Sequence, residues 1–255
     1  MLNANKIFDE AKQNTGLSYL GNPLFEEGFN QLVYSINHEA DLNEIGIEAQ
    51  HHRLIGIISN MLRIEDAIKK NPEILKEQII APIVIVGLPR TGSTMTHRLL
   101  AADPRHTAML WWEGRYPAML PNEDRGNPSE RMALGKAEVD AVVAASPEAL
   151  TIHPWDYKGA DEEILLLEHT FFSTVPESFM RLPSYSSWVE EQDHIHAYNQ
   201  LKIMLQYLQW QNPGRDKKKW VLKSPHHLGF IDKLLLVFPD SKVIQTHRDP
   251  QKTVP

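Results

Sequence analysis

The sequence has no cysteine among its 255 residues, which excludes disulfides, thiolate nucleophiles and cysteine-ligated zinc or iron–sulfur centres. A chain without cysteine suits a reducing compartment. Long apolar runs are missing as well. The greasiest stretch, "IIAPIVIVGL", is about half a membrane span and is interrupted by Pro82, so it reads as a buried strand. The first residues, "MLNANKIFDEAKQ", carry no apolar signal core. Positive charge is not in excess: the formal net charge is −7 and the pI is near 5.9. That balance argues against broad binding to nucleic acid or to anionic membranes. These absences predict a soluble, cytoplasmic protein with no stable membrane insertion and no nucleic-acid partner.

What remains is an ordinary globular composition, 42% apolar and 23% charged. The charge is uneven, however. Between Arg215 and Lys252, nine Lys or Arg face four Asp and no Glu. A basic segment in an acidic protein points to an anionic ligand.

Residues 1–78 read as an N-terminal helical segment packing on the core. Leu24, Phe25, Phe29, Leu32, Val33 and Ile36 form a helical stripe, "QHHRLIGIISNMLRIEDAIKK" continues in the same manner, and "PEILKEQI" adds a short helix. From residue 79 to 255 the pattern is α/β. "PIVIV" is a short β-branched run suited to a central parallel strand, and the helix "TMTHRLLAADP" follows it. "HTAMLWWE" is a second strand candidate ending at Glu113, and "KWVLKS" and "SKVIQTH" are two more, joined by the helical "PHHLGFIDKLLLVFP". Residues 128–211 read as a helical insertion broken at "TIHPWDYKGAD" and "LPSYSSW". Alternating strands and helices predict a parallel sheet flanked by helices, with ligands outside the carboxyl ends of the strands. Gly87–Thr94, Glu113, Lys223–His227 and His247–Asp249 fall at such ends.

The loop "GLPRTGST" joins the first strand to its helix. Gly87 and Gly92 permit a tight turn, free amides of the helix N-terminus point outward, and Ser93 and Thr94 add hydroxyl donors. This makes an anion cradle. It departs from the nucleotide loop G-x-x-x-x-G-K-[ST], because Ser93 stands where the lysine belongs. The only cation inside the loop is Arg90, whose planar fork suits phosphate or sulfate oxygens.

"PIVIVGLPRTGSTMTHRLLAADP" resembles the 5′-phosphosulfate loop of sulfotransferases that use 3′-phosphoadenosine 5′-phosphosulfate (PAPS), in the bacterial branch with a G-x-P-R-[ST]-G-[ST]-[ST] loop. "WVLKSPHHLGFIDKLLLVFPDSKVIQTHRDP" is similar to that family's lysine-containing loop, helix and 3′-phosphate-binding strand. The resemblance implies a P-loop-type fold, PAPS as co-substrate without a metal, and sulfuryl transfer to a hydroxyl, or an amine, of a small or lipophilic acceptor. It implies that Gly87, Arg90, Thr91, Gly92, Ser93 and Thr94 cradle the 5′ end. Arg248 would grip the 3′-phosphate, and Arg90 and Lys223 would neutralise the leaving oxygen. Two bases are open: Glu113, like the carboxylate after the second strand in some members, and His226, like the imidazole after the loop lysine in others. The helical lead-in and residues 128–211 would build the acceptor pocket.

The family's 3′-phosphate motif continues to a Ser about eight residues beyond its Arg, which here would be one residue past Pro255. The sequence is therefore expected to be a fragment or truncated. Two other readings remain. A kinase or nucleotide hydrolase wants the loop lysine and a strand-end Asp for Mg²⁺; Asp249, between Arg248 and Pro250, suits that poorly. A catalytically incomplete nucleotide-binding module is the second. His51-His52, His194-x-His196 and His226-His227 lack the spacing of a helical metal site. Trp111, Trp112, Trp155 and Tyr157 read as core or as acceptor-pocket lining. Asp161, Glu162, Glu163 and Glu168 read mostly as a solvated helical face, one of them orienting an arginine or capping the pocket. The oligomeric state is not legible.

Overall fold

The computed structural model describes residues 1–18 and 23–252. Positions 19–22 of the expected helical lead-in and positions 253–255 lie outside the described residues. Three helices open the chain: α1 (Ala4–Thr15), α2 (Pro23–Glu39) and α3 (Glu44–Lys70). Asn3 and Asn43 cap α1 and α3 through side-chain oxygens that accept the Lys6 and Gly46 amides. Phe25, Phe29, Leu32, Val33 and Ile36 of the α2 stripe are buried. They join one apolar cluster that also contains Met61 of α3 and the sheet residues Val84 and Leu222.

"PEILKEQI" forms the expected short helix with Pro72 in its first turn, as a 3-10 helix over Pro72–Lys76. The carbonyls of Leu75, Glu77 and Gln78 accept from the side-chain amides of Gln206 and Gln209 and so are not available to a helical ladder.

The remaining elements are β1 (Ile83–Val86), α4 (Ser93–Ala101), β2 (His106–Thr107), α5 (Trp111–Arg115), α6 (Ser129–Ala145), α7 (Ala149–Ile152), α8 (Ile164–Glu168), α9 (Pro183–Glu191), α10 (Ile195–Gln211), β3 (Lys219–Lys223), α11 (Ile231–Val237) and β4 (Lys242–Gln245). The four strands form one sheet in the order β2-β3-β1-β4, and every pairing is parallel. Ile85 lies opposite Lys223 on one side and Ile244 on the other. The expected parallel sheet flanked by helices is thus observed. β1 is one of its two inner strands, with Val84, Ile85 and Val86 buried, whereas β4 is an exposed edge.

Two expectations need correction. The strand at "HTAMLWWE" stops at Thr107, and Glu113 lies in helix α5. After Thr107 the backbone pairs with residues 157–161 instead of the sheet: the Trp111 amide reaches the Gly159 carbonyl, and the Asp161 amide reaches that of Met109. The Glu113 carboxylate accepts the Leu110 amide at 2.9 Å, which starts the helix. "LPSYSSW" is no break either, because Pro183 occupies the first turn of α9, where a missing N–H costs nothing.

Candidate active site

The ends of three adjacent strands converge. After β1 comes the loop from Gly87 to Thr94. Gly92 caps α4 with φ 90°, in the left-handed region that suits glycine. Gly87 is required by close approach: a Cβ there would lie 2.2 Å from Thr246 Oγ1. Arg90 holds a left-handed φ of 68°, uncommon for a residue with a side chain, and leaves its guanidinium exposed.

The residues after β4 brace this loop. The Thr246 amide donates to the Val86 carbonyl at 2.9 Å, and its hydroxyl meets Thr91 Oγ1 at 2.7 Å. Thr91 also donates to the Leu88 carbonyl. Arg248 Nη1 donates to the Arg90 carbonyl at 3.3 Å, which sets the two arginines side by side. Among the described residues neither has a carboxylate within ion-pairing distance. Thr246 was missed in the sequence; "QTH" reads simply as the end of a strand.

The end of β3 supplies Lys223. Its side chain is 3% exposed, and Nζ lies between Thr94 Oγ1, at 3.2 Å, and the Glu162 carboxylate. Burial pushes the Glu162 carboxyl up, more strongly than Lys223 pulls it down. Next to it, Glu163 accepts the Lys223 amide at 2.8 Å and His227 Nε2 at 2.5 Å. Tyr198 hydroxyl closes this chain 2.7 Å from His227 Nδ1. Burial opposes ionisation of Glu163, but His227 and the Lys223 amide more than offset it and hold its carboxyl below the usual range.

The carboxylates from Asp161 to Glu168 are therefore not a solvated face. Asp161, Glu163 and Glu168 are buried, and Glu162 is half-buried. Asp161 pairs with His153, and Glu168 takes a bidentate fork from Arg53 with both contacts at 2.7 Å. Their helical spacing was legible, but the partners of Glu162, Glu163 and Glu168 lie 61, 64 and 115 residues away in sequence.

Neither sequence-predicted base shares a hydrogen bond with the Lys223 side chain among the described residues. Glu113 is 2% exposed and held by Arg215 through both carboxylate oxygens, at 2.7 and 2.9 Å. Arg215 is tied further to Thr107 and to the Ala108 carbonyl. His226 packs against His194 and Phe230, and neither ring nitrogen has a hydrogen-bond partner among the described residues. Burial pushes its imidazole down to about 3. Trp111 and Trp112 are core, while Trp155 is half-buried against Trp111. Among the described residues no helix is long and apolar enough to cross a membrane.

A family model described as "Sulfotransferase family" matches residues 82–255. Among curated proteins, the omega-hydroxy-beta-dihydromenaquinone-9 sulfotransferase Stf3 of Mycobacterium tuberculosis is 28% identical over 198 residues, covering 70% of this chain and 45% of its own. Stf3 of Mycobacterium bovis matches equally. The chain thus spans about half the length of the curated relatives it matches. Two solved structures superpose on nearly all of it. Sulfotransferase STF1 from M. tuberculosis gives a TM-score of 0.83 at 28% identity, over 98% of this chain and 68% of the other. Sulfotransferase STF9 from Mycobacterium avium gives 0.84 at 28% identity, over 99% and 64%.

Proposed function

The chain belongs to the sulfotransferase family, and on that premise we propose that it transfers a sulfuryl group from PAPS to a hydroxyl on a lipophilic acceptor. The observation that carries this reading is that Lys223, through Thr94, and Arg248, through the Arg90 carbonyl, both reach the glycine loop that carries Arg90, from the ends of β3 and β4. The donor has a charged group for each. The α4 amides, Ser93, Thr94 and Arg90 face the 5′-phosphosulfate, Lys223 neutralises the oxygen that leaves with the nucleotide, and Arg248 holds the 3′-phosphate. The residues present fit such a donor: Gly92 leaves open space at the start of α4, Gly87 lets Thr246 close against the loop from behind, and Arg90, Lys223 and Arg248 supply positive charge. Sulfuryl transfer then needs in-line placement and fixed positive charge, which loop and lysine supply. A lipophilic acceptor with a hydroxyl is favoured by the omega-hydroxy-beta-dihydromenaquinone-9 in the name of Stf3.

Titration calorimetry with adenosine 3′,5′-bisphosphate and with ATP tests the donor assignment. We expect the bisphosphate to bind in EDTA at least tenfold more tightly than ATP with Mg²⁺. Preference for ATP with Mg²⁺ would make this a kinase or hydrolase loop. Binding of neither would leave a non-catalytic module.

A further inference from the structure

We propose that Glu162 is the catalytic base that takes the acceptor's proton. This rests on the sulfuryl-transfer reading and names a residue within it. Lys223 Nζ is shared between Thr94 of the loop helix and the Glu162 carboxylate. The lysine side chain is 3% exposed and the glutamate 19%, so the carboxylate is the outer member of the pair, the one a solvent-borne acceptor can reach.

The neighbouring carboxylates are engaged elsewhere. Asp161 accepts from His153 and from the Glu162 amide, and Glu163 accepts from His227 and the Lys223 amide. Glu113 is clamped by Arg215, and His226 is enclosed by His194 and Phe230. Three charged groups act on Glu162: Lys223 from β3, and Asp161 and Glu163 from the segment entering α8. From α4, Thr94 Oγ1 meets Lys223 Nζ, and the buried His97 acts electrostatically on Lys223, Glu163 and Asp161.

This arrangement couples the base to the donor. A phosphate oxygen that recruits Lys223 removes the counter-charge of Glu162, whose burial beside two carboxylates then makes it more basic. The acceptor O–H proton passes to a Glu162 oxygen while the acceptor oxygen forms its bond to sulfur. The sulfur–oxygen bond to the 5′-phosphate breaks, and its electron pair stays on the phosphate oxygen beside Lys223. The products are a sulfate ester and adenosine 3′,5′-bisphosphate, and the exposed edge of Glu162 returns its proton to solvent.

The test compares the intact protein with Glu162→Gln and Glu162→Asp. Label transfer from ³⁵S-PAPS to a C15 primary alcohol should fall about 10²-fold or more in Glu162→Gln and recover partly in Glu162→Asp. The acid limb of the rate profile should vanish in Glu162→Gln, and bisphosphate affinity should stay within threefold. A second readout needs no acceptor. Bisphosphate binding measured in two buffers of different ionisation enthalpy should show more proton uptake in the wild type than in Glu162→Gln. Turnover of Glu162→Gln within threefold of wild type overturns the role, as does equal proton uptake. A tenfold loss of bisphosphate binding also overturns it, leaving Glu162 as a support for the lysine. Wild-type protein that binds no bisphosphate overturns the donor reading itself.

Discussion

Gly87 is the residue on which the loop turns. A methyl group there meets Thr246 Oγ1 at 2.2 Å and the Thr246 carbonyl at 2.9 Å, so the β1–β4 brace has to move. Gly87→Ala is expected to weaken adenosine 3′,5′-bisphosphate binding at least tenfold by calorimetry, whereas Gly56→Ala, on an open face of α3, serves as a neutral control. Arg248 offers a sharper test of one contact. Arg248→Ala should cost about tenfold to a hundredfold in affinity for the bisphosphate and less than threefold for adenosine 5′-phosphate, because only the former carries the 3′ group. Equal losses for both ligands would remove Arg248 from that role.

Among the elements, β1, β3 and β4 were legible as short apolar or β-branched runs set between helices, and so was the convergence of their ends. β2 and α5 were not. "HTAMLWWE" has the composition of a strand, yet Arg215, 102 residues away from Glu113, draws that carboxylate into helix α5. The run from Asp161 to Glu168 failed as a reading for the same reason. Arg53 lies 115 residues from Glu168 and Lys223 lies 61 from Glu162, and single-sequence periodicity does not register such pairings. These buried pairs have a measurable cost. Arg215→Ala strands the Glu113 carboxylate and is expected to lower stability by about 3–5 kcal/mol. Glu113→Gln keeps the shape and should retain turnover within tenfold at 20 °C while melting earlier. A loss of about 10² in turnover at unchanged Tm would instead restore Glu113 as the base.

At the scale of the whole molecule, buried histidines link stability to pH. Burial pushes His169 down to about 4 and His226 down to about 3, from an unfolded value of 6.5. The unfolded chain binds more protons than the folded one between those limits, so stability rises with pH there. Their contribution is complete above 6.5 and is lost as pH falls toward 4 and 3. Glu163 and Glu168, both held below the usual carboxylate value of 4.5, add a further loss under that pH. Thermal melts should therefore be flat from pH 7 to 8 and fall by about 5–10 °C by pH 5. A Tm unchanged over that interval would contradict the burial of both imidazoles in their neutral form.

The most direct test of the central claim follows the sulfur. The protein is incubated with ³⁵S-PAPS and a C15 primary alcohol in EDTA, and the organic phase is counted against a Lys223→Ala control. The account predicts label in the alcohol ester without added metal, and a loss of about 10² or more in the control. No labelled ester alongside Mg²⁺-dependent phosphate transfer from γ-³²P-ATP would contradict it.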